Sequence, residues 1–249
     1  MRRTGSIGVR FLLLSLLMLS PATKAFAEAV DLALVLAVDS SESIDNEEVK
    51  LQREGYIAAI KDSGILHAIQ KGKHGKIALA YFEWADANTQ TLLIDWTTVS
   101  DEASAVAFGE RLKSSPILDG HFTSISSAIG YAMTLLDNNP YKSKRLVIDI
   151  SGDGRNNHGP PLAEMQAEAI KRKITINGLP IVNDRDRQFS GLPPDDIERY
   201  YRNNVIAGKN AFIVVARNFD DFERAIIRKL MREIVDAGPN HDYADAQRP

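Results

Sequence analysis

Residues 30–39 read VDLALVLAVD, and from Leu32 the run stays apolar on both alternating sets of positions until it reaches Asp39. A strand with one wet face alternates apolar and polar residues. A strand that is apolar throughout needs cover on both sides, as a parallel sheet between helices provides. KIALAYFEW (76–84), TLLIDW (91–96), KRLVIDIS (144–151), ITINGLPIV (174–182) and AFIVVA (211–216) have the same character. Helical patterns lie between them. Asp45 to Ser63 opens with an acidic residue followed three later by Glu48, a capping-box-like start, and spaces Val49, Tyr56, Ile57 and Ile60 helically. Asp101 to Lys113, Ser124 to Leu136, Pro161 to Lys173 and Phe219 to Ile234 read as further helices. FEWADANTQTLLIDW reads as a hairpin with its connection at Ala85 to Gln90. The pattern predicts an α/β fold: a doubly wound, mostly parallel sheet with one antiparallel edge strand and helices on both faces. Residues 183–210 exceed a typical loop and read as an excursion beyond the strand end, with a short helix at Asp195 to Val205.

The first 27 residues read as an export signal. Arg2, Arg3 and Arg10 precede FLLLSLLMLS, an apolar run short for a bilayer, and Ala25 to Ala27 fit a small-x-small cleavage pattern. An uncleaved anchor is the alternative. A lipoprotein anchor is excluded, because no cysteine follows the run. Cleavage would leave a domain at 28–238, with 183–210 as its excursion, and a polar tail at 239–249 that is expected to be disordered. All 33 acidic residues but only 26 of the 30 basic ones follow residue 27, so that chain carries a formal charge of −7. This balance speaks against a nucleic-acid partner. With no cysteine there is no disulfide, thiolate metal site or thiol chemistry. The expected destination is a bacterial periplasm or the medium, with no membrane span after cleavage.

In an open α/β sheet, ligands bind at the carboxyl ends of strands, near the point where strand order reverses. Asp39 closes the first strand, and Ser41 and Ser43 follow at every second position. Asp153 closes a later strand in VIDISGDG, and Thr123 precedes a helix in LDGHFTSISSAIG. If the first and fourth strands are neighbours, these loops meet. Two carboxylates and three hydroxyls make an all-oxygen set, which favours Mg²⁺ or Ca²⁺ over zinc or copper. Simpler readings exist for each residue alone. Ser43 or Asp45 could cap the following helix, Thr123 could cap its own, and Asp153-Gly154 has the composition of a turn. His121 and His158 flank the set and read as loop residues. Trp84 and Trp96 read as packing at strand ends. The loop GRNNHGPP (154–161) could shape specificity, and the basic residues of IKRK (170–173) read as a solvated helix end.

These motifs carry a resemblance. DSSES (39–43) matches the Asp-x-Ser-x-Ser signature of von Willebrand factor A-type domains, GHFTSISSAI resembles their threonine loop, and SGDG their Asp-Gly loop. The resemblance covers about Val30 to Ile234 and is nearest to the exported, uncharacterised bacterial branch. It implies a metal-ion-dependent adhesion site (MIDAS) on a Rossmann-like sheet. Ser41 and Ser43 would ligate the ion directly, Thr123 directly in the ligand-ready state, and Asp39 and Asp153 mainly through water. The ion, Mg²⁺ or else Mn²⁺ or Ca²⁺, would then stay electrophilic and accept a carboxylate from a partner. The expected function is therefore an exported, metal-dependent protein-binding module that engages an Asp or Glu side chain, not an enzyme. The alternative is a Mg²⁺-dependent phosphotransferase or phosphatase with Asp39 as nucleophile. It lacks the second Asp two residues on, where Ser41 stands, and no lysine-bearing phosphate motif is evident. No Gly-x-Ser-x-Gly elbow supports a serine hydrolase. A third reading is a domain of this type that assembles without metal.

Overall fold

A computed structural model describes residues 27–117, 120–182, 195–218 and 221–235. The expected export signal, apart from Ala27, lies outside the described residues. So do the tail and the first part of the excursion. The chain runs β1 (Ala33–Asp39), α1 (Asn46–Lys61), α2 (Ser63–Gln70), β2 (Ile77–Trp84), β3 (Gln90–Val99), α3 (Glu102–Lys113), α4 (Ile125–Asp137), β4 (Leu146–Gly152), α5 (Leu162–Lys171) and β5 (Ile174–Pro180). There follow α6 (Asp195–Tyr200), a π-helical turn (Tyr201–Val205) and α7 (Phe222–Val235).

The five strands lie in the order β3-β2-β1-β4-β5. β1 pairs in parallel with both β2 and β4, and β5 extends β4 in parallel, while β3 returns antiparallel along β2. The unbroken apolar run of β1 is explained by this central place. Leu32, Leu34, Leu36 and Val38 join one core with Tyr56 and Ile60 of α1, Phe108 of α3 and Phe222 and Ile226 of α7. Ala33, Val35 and Ala37 point the other way, into a core with Ile125, Ala128, Ile129 and Ala132 of α4. This is the expected doubly wound sheet with helices on both faces.

Three local differences stand out, and two of them have a visible physical cause. The first helical pattern, expected at Asp45 to Ser63, is followed at once by a helix that was not expected, because Asp62 (φ −59°, ψ 132°) ends α1 and caps α2 through its side chain, which accepts from the N–H groups of Gly64 and Ile65. The helix expected at Asp195 to Val205 changes to π-helical winding after Tyr200. Residues 211–216, expected as a strand, lie parallel beside β5 but form only isolated bridges, Gly178 with Ile213 and Ile181 with Ala216. Their ladder runs Gly178 N–H to Phe212 O, Val214 N–H to Gly178 O and Ala216 N–H to Pro180 O. The missing rung falls at Pro180, which has no N–H to donate.

Candidate metal centre

β1 and β4 are neighbours from which the chain winds in opposite directions, so the switch point lies at their carboxyl ends. Asp39 ends β1 there, fully buried. The backbone leaves with the Ser41 N–H donating to Asp39 Oδ1 at 2.8 Å, and the Asp153 N–H also faces this carboxylate. Ser41 makes a parallel bridge to Gly120, and the Ser124 N–H donates to Ala85 O at 2.7 Å, which fixes the threonine loop against the end of β2. A side chain at 120 could not fit, since a Cβ there would lie 2.1 Å from that of Ala85.

The structure brings all five expected residues together. Ser43 Oγ donates to Asp153 Oδ1 at 2.7 Å, the Ser41 and Ser43 hydroxyls are 3.3 Å apart, and Thr123 Oγ1 lies 3.4 Å from Ser41 Oγ. Ser41, Thr123 and Asp153 are buried and Ser43 is exposed, so the cluster opens on the Ser43 side. The capping alternatives resolve in a particular way. Asp45 caps α1, its Oδ1 accepting from the N–H groups of Glu47 and Glu48, while the Glu48 carboxylate accepts from the Asp45 N–H. Ser124, not Thr123, caps α4 by accepting from Ser127 N–H. The hydroxyls of Ser41, Ser43 and Thr123 are therefore spared from capping and face one another.

Charge at the cluster is one-sided. Burial pushes the Asp39 carboxyl well above its ordinary range, and the Asp153 carboxylate adds to this, against hydrogen bonds from Ser41 that lower it. Asp39 has no cationic partner among the described residues, and its Oδ2 has no hydrogen-bond partner. Oδ2 faces Gly152, where a Cβ would sit 2.6 Å from it and 2.9 Å from the Tyr201 hydroxyl. Among the described residues no three His, Cys, Asp or Glu side chains are grouped to hold a metal. A cation here would therefore depend on the hydroxyls. Ligands at right angles on a cation with bonds of about 2.1 Å lie about 3 Å apart, and the Ser41–Ser43 and Ser41–Thr123 spacings of 3.3 and 3.4 Å lie a little above that value.

Other residues support the cluster and were not singled out for this from the sequence. Asn157 Oδ1 accepts from the Thr123 N–H at 3.0 Å, and the Asn157 N–H returns to Thr123 O. Asn156 Oδ1 accepts from Ser126 N–H, and the Asn156 N–H reaches the Tyr200 hydroxyl. Arg155 pairs with Asp196 and lies over the Tyr200 ring. The loop 154–158 is thus a brace between the threonine loop and α6; its Asn-Asn pair was the available signal. His121 is exposed, 3.6 Å from Glu42. His158 accepts from the Ala87 N–H through Nδ1. Its ring lies 5.2 Å from that of the exposed Phe122. Trp84 is fully buried and Trp96 donates to Leu135 O, so both pack.

The sequence profile of one family, described as Protein of unknown function (DUF1194), matches residues 29–238. The chain belongs to this family. No curated protein is significantly similar to it in sequence. The DUF1194 chain shares its fold with von Willebrand factor A-type domains. It is similar to proximal thread matrix protein 1 from the mussel byssus, with 13% identity and a TM-score of 0.57 over 84% of this chain and 48% of that one. Another structure of that mussel protein has a zinc-occupied MIDAS motif. The pilus adhesin SpaC of Lactobacillus rhamnosus GG, in an open conformation, aligns with 12% identity and a TM-score of 0.60 over 83% of this chain and 30% of that one. A von Willebrand factor type A protein from Catenulispora acidiphila aligns with 13% identity and a TM-score of 0.56 over 83% and 43%. The DUF1194 chain thus spans less than half the length of each of these proteins.

Proposed function

We propose that this chain is an exported, divalent-cation-dependent protein-binding module. Asp39, Ser41, Ser43, Thr123 and Asp153 would hold Mg²⁺, or Mn²⁺ or Ca²⁺ in its place. When bound, the cation would supply an electrophilic position for a carboxylate oxygen of a partner's Asp or Glu. The observation that carries this reading is the convergence of three hydroxyls, none used as a helix cap, with two buried carboxylates. The protein's own part is orientation. The Ser41 N–H holds Asp39, the Asn157 side chain holds the threonine loop, and Ser43 lies at the opening.

The phosphotransferase alternative needs Asp39 open to an incoming phosphoryl group, and its carboxylate is fully buried beneath Gly152. The non-enzymatic reading is therefore the one we adopt. Among the described residues, no helix is long and apolar enough to cross a membrane.

Titration calorimetry with Mg²⁺, Mn²⁺ and Ca²⁺ tests the reading. Saturable binding of at least one ion is expected, weakened tenfold or more by Ser41→Ala and by Thr123→Ala, with unchanged circular dichroism. Absence of binding by all three ions to folded protein would overturn it.

A further inference from the structure

Away from the Asp39 cluster, at the other end of the strands, the amino ends of β4 and β5 border a cavity of about 660 Å³. Seven residues of β4 separate the two sites, about 20 Å of strand. Five basic side chains line the cavity. Lys144 and Arg145 lead into β4, Lys173 leads into β5, Lys209 lies on the turn before residues 211–216, and Arg232 is in the last turns of α7. Glu233 is the carboxylate among the lining residues, leaving a formal excess of four positive charges on a chain whose total is −3. Glu233 Oε1 is already engaged, 2.6 Å from Lys229 Nζ and 2.9 Å from Asn177 Nδ2.

The cationic walls are held in place. The Arg232 guanidinium stacks on the Phe212 ring, its central carbon 3.9 Å from the ring centroid. Among the described residues it has no ion-pair partner and no hydrogen-bond acceptor, so its N–H edge remains available. Arg145 donates to the carbonyls of Ile234 and Glu233, which anchors the carboxyl end of α7 beside the cavity. The turn carrying Lys209 lies against β5. Gly208 (φ 93°) packs so closely that a Cβ would sit 2.6 Å from Ile174 O, and Thr175 Oγ1 donates to Lys209 O. Lys173 itself adopts φ 59°. Two tight backbone turns thus set Lys173 and Lys209 at one rim.

We propose that this cavity binds a phosphate-bearing anion. A stacked guanidinium with an open donor edge suits two oxygens of one phosphate, and the ammonium groups suit a multiply charged oxyanion better than a single carboxylate. The inference is independent of the cation-site reading. Sodium pyrophosphate, titrated into the purified protein at low ionic strength, is one probe. Sedimentation with vesicles of phosphatidylglycerol in phosphatidylcholine is the other. We expect saturable binding of at least one probe, weakened at least tenfold in Lys173→Glu/Lys209→Glu, whose sites are exposed, and also in Arg232→Gln. Loss of pyrophosphate binding in the variants identifies a soluble phosphate ligand, and loss of vesicle binding alone identifies a lipid headgroup. If neither probe binds, or if binding survives the double lysine variant, the proposal is wrong.

Discussion

At Gly152 a single hydrogen in place of a side chain lets β4 pass beside the Asp39 carboxylate and the Tyr201 hydroxyl. Gly152→Ala must push one of them aside. We expect about 2 kcal/mol of destabilisation in urea unfolding, together with weaker Mg²⁺ binding. The neighbouring Gly154, whose Cβ would be tight but not prohibitive at 3.2 Å from Thr123 Oγ1, should tolerate alanine better. At this scale the sequence was partly legible. The hydroxyl and carboxylate positions stood out by spacing, but the assignment of caps did not. Ser43 and Asp45 both qualify as a cap by residue type, and so do Thr123 and Ser124; only backbone direction decides between them. Asn156 and Asn157 were legible as a polar loop and no more, because their partners lie 30 or more residues away.

Between elements, one buried pair ties three segments. Arg53 of α1 forms a bidentate pair with Glu83 of β2, at 2.7 and 2.8 Å, and also donates to the carbonyls of Ser115 and Pro116 after α3. Both side chains are almost wholly buried. Glu83→Ala would strand the guanidinium, and chemical denaturation should register a loss of about 3–5 kcal/mol. Most elements could be read from periodicity, because their apolar residues repeat within the segment itself. α2 could not, since Asp62 serves both helices and leaves no gap in the pattern. The contact of α6 with the loop 154–158 is likewise invisible locally. Asp196→Ala removes that brace at its pair with Arg155, and we expect lower Mg²⁺ affinity with less than about 1 kcal/mol lost in stability, as for a partly exposed pair.

Across the whole molecule, a buried charged cluster joins the centre of the sheet to the last helix. Lys229 Nζ of α7 lies 2.6 Å from Asp149 Oδ1 of β4 and 2.6 Å from Glu233 Oε1. Burial raises the Asp149 carboxyl to about 7, opposed by Lys229 and reinforced by Glu233. Between about pH 4 and 7 the folded state therefore holds a proton that the unfolded chain has released. Stability contributed by this group should be fullest below the unfolded value near 3.8, fall as pH rises toward about 7, and level off above it. Unfolding free energies measured across that range should show this downward trend, and Asp149→Asn should make it shallower without abolishing it, because the raised Asp39 carboxyl acts in the same sense.

The gap that Pro180 leaves beside residues 211–216 also matters for neighbours. A continuous border of free amides and carbonyls is a template on which other chains can add themselves. Here the last row is joined inward by separate bridges and not by a full ladder, because the Pro180 nitrogen has nothing to donate. A proline placed one row in from the margin thus loosens the outermost segment's grip on the sheet.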